Sequence, residues 1–405
     1  MALTAHTVVL GAGLVGSSTA MHLAELGHKD ILVLDVDLFG SFSSSELNAG
    51  GVRATWNHPI NAALSKISID YFETVKKEVG FLQKGYFWMY SKDQWPAAKA
   101  ALGRNENLKK LGIEYLDPEA IQKRHSFINK HENLGGATFS PKDGLLNPNL
   151  LKLHFRDKAK NLGVQFVDRL WVESVDVLEK SVTLKARKIP TSLSDDDLKE
   201  ILCFQKNLND FELVEIKADI LVNCSGAWAK KINELLRNKN HSHAVRRQVS
   251  FFDCKDVDIR DCGMFVDVSG VYFHPEGPNI LAGFALESEP HGYNLDYDGE
   301  SFFNEYIWTP LYDRSTGFEN LKHLTGWGGL YEVSEDRCAI IGPVGQHRHV
   351  FEAHSFSGRG AMQAYGAGKA LAERIHFGEY RTLNLNCLAA SRFERGELVR
   401  EDLLI

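Results

Sequence analysis

A glycine-rich turn near the start of the sequence constrains the fold more than any other feature. Residues 7–35 read TVVLGAGLVGSSTAMHLAELGHKDILVLD: an apolar strand, a glycine turn, a helix and a second strand that ends in Asp35. In a dinucleotide-binding unit, the first glycine (Gly11) makes a tight turn, the second (Gly13) lets the backbone approach a pyrophosphate, and the third (Gly16) lets the helix pack closely on the strand. The helix N-terminus then attracts phosphate, and the acid binds ribose hydroxyls. This order predicts a nucleotide-binding α/β domain, and Asp35 favours FAD or NAD over NADP.

Length, charge and cysteine spacing exclude several classes of protein. A chain of 405 residues is long for one core, so two domains are expected. The net charge is −7 and no lysine-arginine block occurs, which argues against nucleic acid as a partner. No apolar run approaches a membrane span, and the sequence enters its first strand without a leader, so we expect a cytoplasmic protein. The six cysteines form no CxxC pair, which predicts reduced thiols and no metal site.

The middle of the chain alternates between helical and strand periods. Apolar residues at helical spacing predict a helix over residues 60–79, and residues 81–91 read as a strand. Asn147 and Pro148 have the positions of a helix cap and a first-turn proline. The short strands of residues 247–285 favour an antiparallel sheet, and the polar stretch 185–215 favours a solvated insertion.

A second glycine-rich helix start occurs far downstream, in FSGRGAMQAYGAGKALAERI. Gly358 and Gly360 lead into a helix with many small residues. NAD enzymes have no general need for such a helix. A flavin does, because its reduced ring carries negative charge that a helix N-terminus stabilises. The alternative is a helix whose small residues serve close packing alone.

Four motifs, taken in order, resemble the D-amino-acid oxidase family of flavoproteins. They are GAGLVG with Asp35, SSSELNAGGVRA, VNCSGAWA and FSGRGAMQA. The likeness is to its glycine oxidase and sarcosine oxidase branch, which includes dimethylglycine dehydrogenase. The stretches RRQVSFFDC, VDVSGVYFHPEG and RFERGELVREDLLI are similar to a mitochondrial group of FAD-dependent oxidoreductases implicated in the assembly of respiratory complex I.

The resemblance implies an α/β fold with an α+β substrate domain. A Rossmann-like FAD-binding domain, residues 1–80, 145–230 and 325–405, would be interrupted by an antiparallel-sheet substrate domain, residues 81–144 and 231–324. It also implies FAD held without a covalent bond. The residues assigned to the cofactor by this resemblance are Gly11, Gly13, Leu14, Val15, Gly16, Asp35, Val36, Ser43, Ser44, Asn48, Ala49, Gly50, Gly51, Val172, Ser225, Gly226, Trp228, Gly358, Arg359, Gly360 and Met362.

Departures from the family pattern are as informative as the matches. Gly329 stands where sarcosine oxidase carries its flavin-tethering cysteine, and Asn48 stands where the dehydrogenases carry a tethering histidine. Neither residue can form the bond. Leu281 stands where oxidases carry the lysine that activates oxygen. We therefore expect a dehydrogenase rather than an oxidase.

The substrate pocket also departs from the family. The arginine and lysine that bind a sarcosine carboxylate fall near Trp56 and Met362, so an amino acid needs another anchor. Glu332 and His354 would favour a cationic or hydrogen-bonding group, and each equally suits a structural role. The resemblance places a base at Arg53, for which a salt-bridged loop arginine is the alternative. The candidate catalytic residues are Arg53, Tyr272, His274 and Glu332.

The expected activity is oxidation of a C–N bond, or less readily a C–O bond, by hydride transfer to flavin. The substrate would be a small amine or amino acid derivative, and the electron acceptor stays open. Two alternatives remain: a glycine, D-amino acid or sarcosine-type oxidase that uses oxygen, and a non-enzymatic assembly factor that keeps FAD for its structure.

Overall fold

The computed structural model describes residues 3–104 and 106–401. The strands within these ranges are, in chain order, β1 (Leu3–Leu10), β2 (Ile31–Leu34), β3 (Gly51–Val52), β4 (Tyr86–Ser91), β5 (Glu114–Leu116), β6 (Leu134–Ser140), β7 (Gly144–Leu145), β8 (Gln165–Val167), β9 (Leu170–Val177), β10 (Val182–Lys188), β11 (Leu213–Asn223), β12 (Ser242–Asp253), β13 (Met264–Val266), β14 (Tyr272–Glu276), β15 (Asn279–Phe284), β16 (Lys322–Ser334), β17 (Ile340–Pro343) and β18 (Val350–His354).

The α-helices over the same ranges are α1 (Leu14–Glu25), α2 (Pro59–Thr74), α3 (Trp95–Arg104), α4 (Glu106–Lys109), α5 (Pro118–Arg124), α6 (Pro148–Asn161), α7 (Asp195–Leu202), α8 (Ala229–Leu235), α9 (Glu300–Phe302), α10 (Thr309–Tyr312), α11 (Gly360–Phe377) and α12 (Ser391–Arg395). A π-helix, Phe303–Trp308, joins α9 to α10, and short 3-10 turns span Gly226–Trp228, Thr316–Phe318 and Asn386–Leu388. Among the described residues, no helix has the length and apolarity needed to cross a membrane.

The first sheet is built around β1. Its order is β17-β18-β11-β1-β2-β8, and β9 and β10 extend it along β11. Strands β8, β2, β1, β11 and β18 run parallel. Both faces of this parallel core are covered, which is why β1 reads as a continuous apolar run. Val9 packs with Leu23, Phe72 and Leu371 of α1, α2 and α11, whereas Val8 faces the cluster that includes β10 and α8.

The second sheet has the order β16-β12-β15-β14-β13-β4-β6-β5. The antiparallel pairing predicted for residues 247–285 is present, because β12 pairs with β15, β15 with β14 and β14 with β13 in this way. In addition, β13 pairs with β4 in parallel. The two strands lie far apart in sequence, so no hairpin turn sets their direction. One face of the sheet is filled by phenylalanines, among them Phe252, Phe265, Phe273, Phe303 and Phe318. The opposite face is left for the functional site.

The predicted local elements are largely present. The Asn147 side chain accepts hydrogen bonds from the backbone N–H groups of Asn149 and Leu150, with Pro148 in the first turn of α6. The expected helix over residues 60–79 ends earlier, because α2 stops at Thr74. The polar stretch 185–215 contains the end of β10, helix α7 and the start of β11, so it is more ordered than a solvated insertion. The predicted domain boundaries stay a prediction; their ends at residues 1–2 and 402–405 lie outside the described residues, and β16 belongs to the second sheet.

Candidate functional site

A long cavity opens where the parallel strands of the first sheet end. The segments after β1, β2, β11 and β18 all reach this edge and contribute Gly11, Asp35, Ser225 and Ser357 to its lining. Including its part open to solvent, the cavity encloses about 1420 Å³. In open α/β sheets, ligands bind at this carboxyl edge of the strands. We call it the large cavity.

The three glycines of the first turn have different structural roles. Gly11 has φ +94°, and a Cβ there would lie 2.8 Å from the carbonyl carbon of Cys224. A Cβ on Gly16 would collide with the carbonyl oxygen of Gly11. A Cβ on Gly13 would meet only the side chain of Ser45, whose Oγ would lie 2.9 Å away. Gly11 and Gly16 are therefore required by the fold, whereas the space beside Gly13 belongs to the cavity.

The start of α1 lies at the large cavity, which Gly13, Leu14 and Val15 line. Gly13 is the N-cap residue and makes no side-chain cap, and the N–H of Leu14 donates to Ser45 Oγ at 3.0 Å. Arg156 donates to the carbonyl oxygen of Ala12, which fixes the turn from behind. Unpaired N–H groups at a helix start form an anion-binding site.

Asp35 lies at the end of β2 and faces the same turn. Its Oδ2 accepts a hydrogen bond from the Ala12 N–H at 2.5 Å, and its Oδ1 accepts one from the Asp37 N–H at 3.1 Å. Burial raises the pKa of Asp35, although these two N–H groups and Arg156 oppose that shift. Each carboxylate oxygen keeps a lone pair for a ligand hydroxyl.

Most of the expected cofactor residues are brought together here. Those that line the large cavity are Gly11, Gly13, Leu14, Val15, Asp35, Val36, Ser43, Ser44, Asn48, Val172, Ser225, Gly226, Trp228, Gly358 and Gly360. Ala49, Gly51, Arg359 and Met362 line a second, smaller cavity instead. Gly16 and Gly50 line neither of the two cavities; a Cβ on Gly50 would collide with the carbonyl oxygen of Leu146.

Sequence reasoning missed several groups that line the large cavity. Ser45 caps α1 from the serine-rich loop, and its neighbours Ser43 and Ser44 were the only signal for it. Phe42 and Trp171 also line the cavity, from the same loop and from β9. An aromatic residue in a loop or strand has no local signature of a ligand contact, so only the fold identifies these two.

The small cavity lies between the loop after β3, the second sheet and the start of α11. It adjoins the large cavity at Asn48, Tyr331, Ser357 and Gly358, which line both. Three arginines line it, Arg53, Arg247 and Arg359, and no aspartate or glutamate is among its described lining residues. The described lining of the small cavity is therefore positively charged, although carboxylates outside this lining act on the arginines, namely Asp143, Glu289, Asp336 and Glu401.

Arg53 is held in place by aromatic rings. Its guanidinium carbon lies 3.5 Å from the ring centroid of Trp56 and 4.5 Å from that of Trp88, and Nη1 donates to the Thr55 carbonyl at 3.0 Å. Burial lowers the pKa of Arg53 to about 10. The side chain therefore stays protonated at neutral pH and contributes charge to the cavity, not proton abstraction.

Arg247 is the functional candidate that the sequence reasoning missed. Its Nη1 donates to the Arg246 carbonyl at 2.9 Å, and its Nε is buried without a hydrogen-bond partner. Among the described residues, no carboxylate forms an ion pair with Arg247, whereas Arg246 binds Glu289 and Asp298 on the other face of the strand. Alternation along β12 was the available signal, because adjacent strand residues face opposite sides.

The neighbouring strand β16 has a glycine opposite Arg247, so no side chain lies at the paired position. Arg247 pairs across the sheet with Gly329, the residue that replaces a tethering cysteine in the family pattern. The guanidinium carbon lies 5.6 Å from the ring centroid of Tyr331. Burial lowers the pKa of Arg247, and Tyr331, Tyr272 and the more distant carboxylate of Glu289 oppose that shift.

Tyrosine hydroxyls supply the remaining polar groups of the small cavity. Tyr86, Tyr272 and Tyr331 line it, and burial raises the pKa of each hydroxyl. At neutral pH these groups are therefore neutral hydrogen-bonding partners. Tyr272 thus has the cavity-lining position that was expected for it.

The other candidate catalytic residues lie elsewhere. His274 lines neither cavity; its Nδ1 contacts the Pro275 carbonyl at 2.9 Å. Leu281 pairs with His274 across β14 and β15 and is buried. Glu332 lines the large cavity and not the small one. His354 is fully buried. Its Nε2 lies 2.9 Å from Oε2 of Glu352, and its Nδ1 lies 2.8 Å from Oγ of Ser355.

The small residues of α11 have both of the roles considered for them: the first ones line the site, and the later ones allow close packing. Gly358 lines both cavities, and Gly360, the first residue of the helix, lines the large one, so the helix start faces the site. A Cβ on Gly366 would lie 2.9 Å from the Leu64 carbonyl oxygen, and one on Gly368 would lie 2.8 Å from the Ser18 Cβ. The later glycines are therefore needed for packing against α2 and α1.

Comparisons with known proteins agree with this geometry. A family model described as "DAO: FAD dependent oxidoreductase" matches residues 6–374. FAD-dependent oxidoreductase domain-containing protein 1 of Bos taurus is 27% identical, over 98% of this chain and 86% of its own. Human mitochondrial dimethylglycine dehydrogenase is 25% identical, over 93% of this chain and 43% of its own. L-proline dehydrogenase from P. horikoshii superposes with a TM-score of 0.83 at 23% identity, over 98% of this chain and 100% of its own.

Proposed function

This chain belongs to the DAO family of FAD-dependent oxidoreductases, and we propose that it is a dehydrogenase that oxidises the C–N bond of an amino acid derivative. The observation that carries the proposal is the cation Arg247, which has no ion-pair partner among the described residues and lies in a small cavity whose described lining contains no acidic residue. The carboxylate of the substrate would bind Arg247, and its amine would lie among the tyrosine hydroxyls.

The residues of the large cavity fit FAD. The space beside Gly13 is open, and the start of α1 would offer N–H groups to a diphosphate there. Asp35 would accept hydrogen bonds from ribose hydroxyls. A buried oxygen, Oε2 of Glu332, lacks a hydrogen-bond partner among residues 3–104 and 106–401, and Glu332 lines this cavity. Bound FAD would supply the two-electron acceptor that takes hydride from the substrate carbon.

The charge of the small cavity favours a substrate that carries a carboxylate. Each charge-assisted hydrogen bond between guanidinium and carboxylate contributes about 1.5 to 3 kcal/mol. The same positive field lowers the pKa of a bound ammonium group, because a like charge disfavours the protonated form. A substrate would therefore be held by its carboxylate with its amine as the free base, the form whose lone pair assists C–N oxidation.

The remaining functional assignments follow from single positions. Gly329 and Asn48 offer no group for a flavin bond, so FAD is held without one. Leu281 brings no charge for oxygen activation, which supports a dehydrogenase over an oxidase. The electron acceptor and the cytoplasmic location stay predictions.

The test is reduction of the bound flavin by candidate substrates under anaerobic conditions. The reduction is monitored as the loss of flavin absorbance near 450 nm. We expect sarcosine, dimethylglycine or proline to bleach the flavin, and dimethylamine, trimethylamine and pyrrolidine, which lack the carboxylate, to fail. Arg247→Gln should raise the substrate KM by about 10- to 150-fold, the loss of one charge-assisted hydrogen bond. The matched control is Arg260→Gln, because Arg260 is an exposed arginine of the same chain.

Two outcomes contradict the proposal. Equal bleaching by amines with and without a carboxylate would remove Arg247 as an anchor. No bleaching by a broad panel of amines, amino acids and hydroxy acids would favour the assembly factor that keeps FAD for structure.

A further inference from the structure

Glu332 is a partly exposed residue whose Oε2 atom is buried, and neither the family motifs nor the proposed chemistry explains its carboxyl group. It lies near the end of β16 and lines the large cavity. Its Oε1 is 3.5 Å from the Phe356 N–H, and its Oε2 has no hydrogen-bond partner within the described protein. A buried oxygen without a partner is unfavourable, so a ligand group is its expected partner.

The position of Glu332 is close to the glycine turn that receives the diphosphate. A Cβ on Gly226 would lie 3.2 Å from Glu332 Oε2. The preceding residue, Ser225, has its Cα 3.0 Å from the Cβ position of Gly11. Glu332 is thus separated from the turn by the backbone of a single short segment, and a carboxylate there would repel a diphosphate.

We infer that Glu332 binds FAD as the neutral acid and donates its proton to an oxygen of the cofactor. Glu332 is then a cofactor-binding residue, not one of the catalytic groups. FAD binding would take up a proton whenever Glu332 is ionised in the free protein. The inference depends only on FAD binding and stands whatever the substrate is.

The surroundings of Glu332 support this protonation state. Burial raises its pKa to about 7, opposed by the charge of His354 and by the N–H groups of Phe356 and Ser355. The titratable groups that face it from the packed elements are His354 on β18 and the Cys224 thiol after β11, and burial raises the pKa of that thiol to about 12. Among the described residues, no lysine or arginine forms an ion pair with Glu332 that would hold it ionised.

The protonation state of Glu332 determines whether the FAD affinity rises or falls with pH. A group whose pKa rises on binding favours the complex below its free pKa, and the affinity falls as the pH rises through that value. With a free pKa of about 7, the FAD Kd should increase about 100-fold between pH 6 and pH 9. Glu332→Gln, which is neutral and keeps an N–H donor, should bind FAD with the same Kd at both pH values.

The experiment dilutes the FAD-loaded protein and follows the fluorescence of released FAD at equilibrium, from pH 6 to pH 9. Glu335→Gln is the matched control, since Glu335 follows the same strand and is exposed, and it should keep the native pH dependence. Calorimetry of FAD binding to native protein at pH 8, in two buffers of different ionisation enthalpy, should show uptake of about one proton, and this readout does not require the variant to fold.

Three results would overturn the inference. They are a native Kd that is constant from pH 6 to pH 9, a Glu332→Gln protein that keeps the native pH dependence, and a Glu332→Gln protein that binds FAD at least 10-fold more weakly than native at pH 6. The last result would mean that the carboxylate, not the acid, binds the cofactor.

Discussion

Replacing Gly13 by alanine should separate the cofactor role of the glycine turn from its structural role. Gly13 has φ −68°, which alanine adopts without strain. The added methyl would meet only Ser45, whose Oγ lies at 2.9 Å and whose Cβ lies at 3.9 Å. Rotation of the hydroxyl relieves this contact at the cost of its hydrogen bond to Leu14. We expect the free energy of unfolding of the FAD-free protein to fall by about 1 kcal/mol, the typical value of a lost helix cap.

The effect on FAD should be much larger. The methyl would fill the space through which the start of α1 approaches the diphosphate. Loss of one or two charge-assisted hydrogen bonds, at about 1.5 to 3 kcal/mol each, would raise the FAD Kd by about 10- to 10⁴-fold. Gly16→Ala is the contrasting variant, because its Cβ would collide with the Gly11 carbonyl oxygen and should prevent stable folding.

Two measurements on the purified variants check this prediction. The first is thermal unfolding of the FAD-free proteins followed by circular dichroism, and the second is FAD affinity by fluorescence quenching. Gly13→Ala should melt close to native in the absence of FAD and gain little stability when FAD is added. A Gly13→Ala protein that binds FAD with native affinity, or that fails to fold while Gly16→Ala folds, would refute the assignment of these two glycines.

Two further predictions concern single positions that depart from the family pattern. Because Gly329 and Asn48 cannot form a flavin bond, acid precipitation should release all of the flavin into the supernatant, and colour retained in the pellet would contradict a non-covalent cofactor. Leu281→Lys should speed reoxidation of the photoreduced flavin by air-saturated buffer at least 10-fold, because a nearby cation stabilises the anion formed from oxygen; millisecond reoxidation of the native protein would instead restore the oxidase alternative.

The glycine motifs were readable from the sequence because their requirements are local. A tight turn at Gly11 and a capped helix start at Asn147 depend on residues within a few positions of each other, and both are present. Apolar runs likewise located β1, β2 and β4, and the short strands predicted within residues 247–285 are present as β12 to β15. The end of α2 was missed by five residues, because its apolar period continues through Val75 and Val79 although the helix does not.

The assignment of polar residues to cavities could not be made in this way. Arg246 and Arg247 are neighbours in sequence, yet one is neutralised by Glu289 and Asp298 and the other faces the small cavity. Which face of β12 meets the cavity depends on its pairing with β16, about 80 residues later. Glu332, predicted as a candidate for catalysis, lines the large cavity close to Gly226, which no local pattern shows.

The sequence by itself therefore determined the nucleotide-binding unit, the family likeness and the absence of a flavin-tethering side chain. These depend on residue identity and short-range backbone geometry. The tertiary structure decided that the residues after four separate strands meet in one large cavity and that Glu332 lines it. It also decided that Arg247 lines the small cavity with no ion-pair partner in the part of the chain that the structure describes. The physical reason is that charge and hydrogen-bond pairing are set by which distant strands lie side by side, and no local pattern encodes that pairing.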